Sequence, residues 1–209
     1  MNDISDNTRI RKADIEALVE AARILAAGGV IAFPTDTVYG LACDLFNEEA
    51  VDRIYRIKAR PVYLPLIAML AEAEQWPRVA SALPESARRF MARCWPGPLT
   101  LIVPAREDIP AVVRGGGTTI GMRIPDHAVA RELLRLAARP LATTSANLSG
   151  RPAACTAEEA AEQLGDAVDL ILDAGPCPGG QASTVVDCTV EPPKILREGP
   201  ITAEMLKLA

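Results

Sequence analysis

Histidine is nearly missing from this chain: among 209 residues only His127 carries an imidazole. That count excludes a Ser-His-Asp triad elsewhere in the chain, an H-E-x-x-H metal site and any histidine cluster. His127 itself follows Pro125-Asp126 at a predicted helix start, where a surface-turn role is expected. Aromatic side chains are scarce at 4%, too few for an array of base-stacking platforms. Five cysteines (Cys43, Cys94, Cys155, Cys177 and Cys188) are odd in number and contain no C-x-x-C pair. They support neither a disulfide framework nor a structural zinc site. Long apolar runs are lacking too, none approaching the ~20 residues that cross a bilayer. Met1 to Lys12 is polar, without a secretory apolar region, so a soluble cytoplasmic protein is expected. The net charge of −5 disfavours RNA or DNA binding through an overall basic field, but it permits a local basic pocket.

What is present is a 49% hydrophobic chain long enough to fill a real core. Its centre is the stretch Gly28 to Leu41, GGVIAFPTDTVYGL. Two glycines end a helix, an apolar run reads as a buried strand over Val30 to Phe33, and Pro34 closes it. Thr35, Asp36 and Thr37 then leave the sheet at its rim, where side chains are free to hold a ligand. The same groups also serve ordinary strand-to-loop turns by satisfying local backbone.

Helices are predicted from Ile15 to Ala27 behind an Asp14 cap, from Asn47 to Lys58, from Pro84 to Arg93 and from Ala128 to Ala137. Ala71 to Ala82 reads as partly helical. Thr156 with Glu159 forms a capping box for a helix to Leu164, and Thr202 caps a short last helix. Strands are predicted at Leu66 to Leu70, Leu99 to Val103, Thr118 to Ile124, Leu141 to Thr144, Leu170 to Asp173, Ser183 to Cys188 and Lys194 to Arg197. The Gly115-Gly116-Gly117 run lacks the Lys-Ser/Thr of a phosphate loop and reads as a flexible loop. WPGP at 95–98 and STVVD at 183–187 look hairpin-like. The expected fold is one α/β domain with a twisted, mixed parallel and antiparallel sheet flanked by helices.

Four rim segments share a composition: Thr35-Asp36-Thr37, Lys58-Ala59-Arg60, Ser145-Ala146-Asn147 and Ser183-Thr184. Arg123 and Arg197 close two other strands. Lys58 and Arg60 flank one residue where a helix breaks, so both can turn toward one anion. A guanidinium chelates phosphate as a fork, whereas an ammonium acts as a point charge. Each segment also has an ordinary reading, as a solvated cation pair at a helix end or a polar turn. With no obvious nucleophile or dedicated base, any catalysis would rest on positioning and charge neutralisation.

Seven ordered blocks, FPTDTVYGL, IKARP followed by PLI, WPGPLTLIV, IGMRIPDH, TTSANLSGRP, STVVD and ILREGPI, cover most of 21–202. Together they resemble the YrdC/Sua5 family of threonylcarbamoyl-AMP synthases. The resemblance implies a single YrdC-like domain over 1–209, with its core at about 14–202, a concave ligand cavity and no C-terminal Sua5 domain. It implies an enzyme that uses L-threonine, bicarbonate or CO2, and ATP. Threonine's amine becomes a carbamate that attacks the α-phosphorus, giving threonylcarbamoyl-AMP and pyrophosphate for t6A on tRNAs. It also implies Mg2+ on the ATP phosphates rather than on protein ligands, and delivery of the product to t6A transferase complex proteins.

Residue by residue, the resemblance places L-threonine on Thr35, Arg123, Thr143 and Ser183, with Arg123 forking the carboxylate. It places the nucleotide on Lys58, Arg60, Thr119, Ser145 and Arg197. Lys58, Arg60, Ser145 and Asn147 form its catalytic K-x-R and S-x-N set. Three positions depart from the commoner pattern: Leu64 stands for Lys or Asn, Met69 for a histidine of some members, and Ala153 for a nucleotide-contacting serine. Ala59 for glycine is milder. A charge-assisted bond lost at Leu64 or Ala153 would cost about 1.5–3 kcal/mol each. A second reading is a YciO-like paralogue that binds nucleotide or double-stranded RNA with weak or no synthesis. A third, carbamoyl transfer in hydrogenase maturation, belongs to far longer chains.

Overall fold

The computed structural model describes residues 9–207. Helix α1 (Ile15–Ala26) starts where the Asp14 carboxylate accepts from the Ala17 amide, and α2 (Glu48–Lys58) starts where Asn47 accepts from Ala50. Helices α3 (Glu85–Cys94), α4 (Ala128–Ala137), α5 (Ala157–Leu164) and α6 (Ala203–Leu206) follow. Thr156 and Thr202 cap the last two as expected. Glu159 instead reaches back one residue further, accepting from the Cys155 amide at 2.6 Å, so the box is only half formed as predicted.

The strands are β1 (Ile10–Lys12), β2 (Ile31–Phe33), β3 (Gly40–Asp44), β4 (Ile67–Met69), β5 (Leu99–Pro104) and β6 (Thr119–Arg123). Then come β7 (Leu141–Ser145), β8 (Leu170–Asp173), β9 (Thr184–Asp187) and β10 (Lys194–Arg197). Among the described residues they form one mixed sheet in the order β1-β8-β2-β3-β7-β4-β6-β5-β9-β10. Neighbours run parallel at β1/β8, β2/β8, β4/β6 and β5/β9, and antiparallel elsewhere.

Strand residues alternate between faces, and each face has its own core. Leu41 and Cys43 of β3, Leu99, Leu101 and Val103 of β5, and Ile120 and Met122 of β6 pack with α2, α3 and α5. On the opposite face Ile31, Phe33, Ala42, Met69 and Leu141 pack with α1 and α4. Those two helices lie against each other over one part of the sheet. The remainder of that face is where the cavity opens.

Several predicted elements differ from the structure. β1 and β3 were not expected. Ile10 to Lys12 is too short and too charged to announce a strand, yet it pairs with β8. The six residues after Phe33 do leave the sheet, but Gly40 to Asp44 returns as a fully buried antiparallel strand beside β2. Ala71 to Ala82 is helical in part, as expected, though as a 3-10 helix, Ala73–Arg78, with Pro77 inside it. WPGP is the turn from α3 into β5 rather than a hairpin; the hairpin is β9–β10. His127 does not sit on a surface turn. It is half-buried at the start of α4, with an Nδ1 that is buried and unpartnered, and burial pushes its pKa down.

Candidate active site

A cavity of about 290 Å3 lies on the helix-free part of the sheet. Alternation supplies its floor: Thr143 of β7, Ile67 of β4, Gly121 of β6 and Ile102 of β5 stand side by side in register. A neighbouring row brings Leu141, Met69 and Arg123 together. Glycine keeps the floor low. A Cβ on Gly121 would come 3.0 Å from Ile67 Cγ2 and 3.2 Å from Thr100 Cγ2.

One wall comes from the loop between β2 and β3. Thr35 Oγ1 donates to the Val38 carbonyl at 2.6 Å and accepts from the Thr37 amide at 3.1 Å. Its hydroxyl also lies 2.9 Å from that of Thr37. This folds the loop so that both threonines line the cavity. Arg123, 3% exposed, joins them from the end of β6. Its Nε donates to Gly97 O at 3.0 Å, Nη1 to Thr37 Oγ1 at 2.9 Å, and Nη2 to Asp36 Oδ1 at 2.5 Å. Of its five N–H groups, these three bonds leave one on each terminal nitrogen. Burial pushes the guanidinium pKa down, and the Asp36 charge opposes that.

The opposite wall carries Arg60, Arg197 and Ser183. Arg197 donates from Nε to Ser183 O and from Nη2 to Ser183 Oγ, both at 3.0 Å, and the same hydroxyl lies 2.8 Å from Thr100 Oγ1. Burial lowers the Arg197 pKa, and repulsion from Arg123 and Arg60 lowers it further, as expected where three guanidiniums share one space. Arg60 is anchored through Leu64 O and Pro65 O at 3.2 and 3.1 Å, and burial lowers its pKa as well. Three arginines, seven serines and threonines and one tyrosine line the cavity, and among the described residues no carboxylate does. A chain of net charge −5 thus holds a basic pocket suited to anions.

The structure brings together Thr35, Arg60, Arg123, Thr143, Ser145, Ser183 and Arg197 on this cavity. Three other expected residues are not part of its lining. Thr119 lies on the same sheet face as Gly121 and Arg123, at the far end of β6. Asn147 is buried behind Ser145 and accepts the Ser145 hydroxyl at 2.5 Å on Oδ1. Lys58, 1% exposed, lies behind Ser145 and is not part of the lining. Its Nζ donates to Ser145 O at 2.5 Å, to Asn147 O and, at 3.3 Å, to Asn147 Oδ1. Ala59, in the left-handed region at φ 49°, ends α2 between Lys58 and Arg60. Of the two cations, Arg60 lines the cavity and Lys58 does not. Of the three divergent positions, Met69 and Ala153 line the cavity, and Leu64 is 37% exposed and anchors Arg60 through its carbonyl.

Thr37, named with Thr35 in the rim segment T-D-T, also lines the cavity, whereas sequence reasoning missed Thr100 and Tyr39 as wall residues. Thr100 was not legible, because only the face assignment of β5 reveals it. Among the described residues no group of three or more His, Cys, Asp or Glu side chains could hold a metal ion, and no helix is long and apolar enough to cross a membrane.

A family model described as "Telomere recombination", for the Sua5, YciO and YrdC proteins, matches residues 23–199. A threonylcarbamoyl-AMP synthase of Pyrococcus abyssi is 42% identical over 187 residues, covering 90% of this chain and 55% of that protein. The crystal structure of P. abyssi Sua5 complexed with L-threonine aligns with a TM-score of 0.91 and 39% identity, covering 95% of this chain and 58% of that one. E. coli YciO aligns with a TM-score of 0.83 and 30% identity, covering 91% and 93% of the two chains. The chain spans 55% of the length of the first curated relatives it matches, those of P. abyssi and Bacillus subtilis.

Proposed function

We propose, from the premise that this chain belongs to the Sua5/YciO/YrdC family, that its cavity condenses L-threonine, bicarbonate or CO2, and ATP into threonylcarbamoyl-AMP and pyrophosphate. One observation carries the reading. Thr35, Arg123, Thr143 and Ser183 share a single cavity with Arg60, Ser145 and Arg197, which supports reading the first four as the threonine set and the other three as the phosphate set. The free N–H groups of Arg123 would take the threonine carboxylate, side by side with the hydroxyls of Thr35 and Ser183. Arg60 and Arg197 would meet the phosphates, with Ser145 on the α-phosphate side and Thr119 at the outer edge.

In the reaction the threonine nitrogen attacks the CO2 carbon and loses a proton, and a carbamate forms. A carbamate oxygen then attacks the α-phosphorus in line, and pyrophosphate leaves with the electron pair of the broken P–O bond. The chain supplies no nucleophile. Its part is to hold two anions close together and to neutralise charge that grows on the phosphates. The donor set is cationic and hydroxylic, which suits phosphate oxygens and leaves Mg2+ to ride in on ATP with its own waters. The product would serve t6A formation on tRNA in the cytoplasm, and it would pass to the proteins that transfer it.

Incubation with ATP, threonine and labelled bicarbonate tests this. Mass spectrometry should find the label in an adduct of threonine and AMP. Nucleotide binding with no such adduct would point instead to a YciO-like binder.

A further inference from the structure

The loop that carries Thr35 and Thr37 is held by two segments far apart in the chain. One is 153–155, where the Ala154 carbonyl accepts from the Tyr39 amide at 2.8 Å. The other is 175–180. There the Tyr39 hydroxyl donates to Gly175 O at 2.9 Å, and the Gly180 amide donates to Thr37 O at 2.8 Å. Gly179 lies so close to the loop that a Cβ on it would come 2.5 Å from Asp36 O. The two segments meet each other at a pair of cysteines: the Cys177 amide donates to Cys155 O at 2.8 Å.

A backbone bond of this kind holds two α-carbons about 5.5 Å apart, inside the range of about 4.4–6.8 Å that a disulfide spans. Both thiols are free. Cys155 is half-buried and is the one a small oxidant reaches first, whereas Cys177 is 8% exposed. The Thr35 amide hydrogen-bonds toward the Cys177 sulfur. The inner thiol therefore touches the backbone of a residue on the cavity wall.

We propose that Cys155 and Cys177 are an oxidative modification site, and that their disulfide loosens the loop of Thr35 and Thr37 by drawing the Cys177 sulfur off the Thr35 amide. The consequence for threonine rests on the function proposed above; the bond and the loop do not. Hydrogen peroxide is the oxidant. The Cys155 thiolate attacks one peroxide oxygen, the O–O bond breaks, and a sulfenic acid forms as hydroxide leaves and takes up the thiol proton. The Cys177 thiolate then attacks that sulfur, the S–O bond breaks, and a second water departs with the second thiol proton. Two electrons pass from the two sulfurs to the peroxide. Burial, then Glu159, hold the Cys155 thiol above its ordinary value. Burial pushes Cys177 up to about 11; the Thr35 amide and Arg123 oppose the rise, and Cys155 and Asp36 add to it. Few thiolates exist at neutral pH, so the pair answers sustained peroxide rather than a brief pulse.

The test treats the reduced protein with hydrogen peroxide and titrates its thiols in denaturant. The count should fall from five to three, and dithiothreitol should restore all five. The rate should rise about tenfold from about pH 7 to 8, as the thiolate fraction does. Cleavage at Glu and Asp without reductant should map the bond to Cys155 and Cys177, and Cys155→Ser should keep its remaining thiols. Amide hydrogen exchange across Thr35 to Tyr39 should quicken in the oxidised form. Calorimetry should find the threonine Kd raised about fivefold, as the loss of one neutral hydrogen bond does.

An unchanged thiol count, a loss that dithiothreitol does not restore, or a bond mapped to Cys43, Cys94 or Cys188 would overturn the pairing. A disulfide that leaves hydrogen exchange unchanged would overturn its action on the loop. If Cys155→Ser does not fold, the peptide map of the wild type decides alone. If neither form binds threonine, the proposed function fails, while the map and the exchange still decide this proposal.

Discussion

Arg123 and Asp36 meet at 2.5 Å with side chains 3% and 10% exposed, and this pair forms the buried back of the cavity wall. The second carboxylate oxygen, Oδ2 of Asp36, is buried without a partner. The pair offsets part of the cost of burying the guanidinium, whose pKa burial pushes down. Breaking such a pair leaves an uncompensated charge and costs about 3–5 kcal/mol. Asp36→Ala should therefore lower the unfolding free energy by about that amount in urea titration. Arg123→Ala should in addition abolish threonine binding in calorimetry. If Asp36→Ala changed stability by less than about 1 kcal/mol, the pair would not be the anchor described.

Lys58 gives a pH dependence with a defined sign. Burial, then repulsion from Arg60, push its pKa down to about 7 from an ordinary 10.5. Between these values the unfolded chain holds a proton on this residue that the folded chain has released. Stability therefore rises with pH across the window from about 7 to 10.5, and the penalty is largest below it. Urea midpoints measured from neutral to alkaline pH should show the rise in the wild type and lose it in Lys58→Met. Identical slopes in both would refute the assignment.

Gly121 tests the floor. An alanine Cβ there would press on Ile67 and Thr100 at 3.0 and 3.2 Å, tighter than ordinary contact. Gly121→Ala is expected to cost about 1–3 kcal/mol as overpacking and to raise the threonine KM. A variant as stable as the wild type with an unchanged KM would mean that no ligand rests on this row.

Ala153 tests the divergent wall. It lines the cavity with no polar group to offer. Ala153→Ser adds a hydroxyl at the position where the resemblance implies a nucleotide-contacting serine. One neutral hydrogen bond of about 1 kcal/mol would tighten ATP by about fivefold. No change in calorimetry would place the nucleotide elsewhere on the wall.

The order of helices and most strands was legible because their apolar periods are strong and their caps are explicit: Asp14, Asn47, Thr156 and Thr202 all cap where the sequence says they should. β3 was not legible. Its leading residues are the polar loop of the site, and the strand that follows, Leu-Ala-Cys, is too short to show a period. Sheet order is set by pairing across the whole chain, so the meeting of β7 with β4 and β6 could not be read locally. Among the site residues, the composition of the rim segments pointed to most of the wall. The bonds of Lys58 run to acceptors 87 and 89 residues away. Spacing in K-x-R does not carry that fact.

Pyrophosphate release from ATP, with threonine and bicarbonate withheld in turn, bears most directly on the claim that one basic cavity joins an amino acid to a nucleotide. Release is predicted only when both are supplied, and it should vanish in Arg123→Ala. Release that proceeds equally without threonine, or that survives the loss of Arg123, would contradict it.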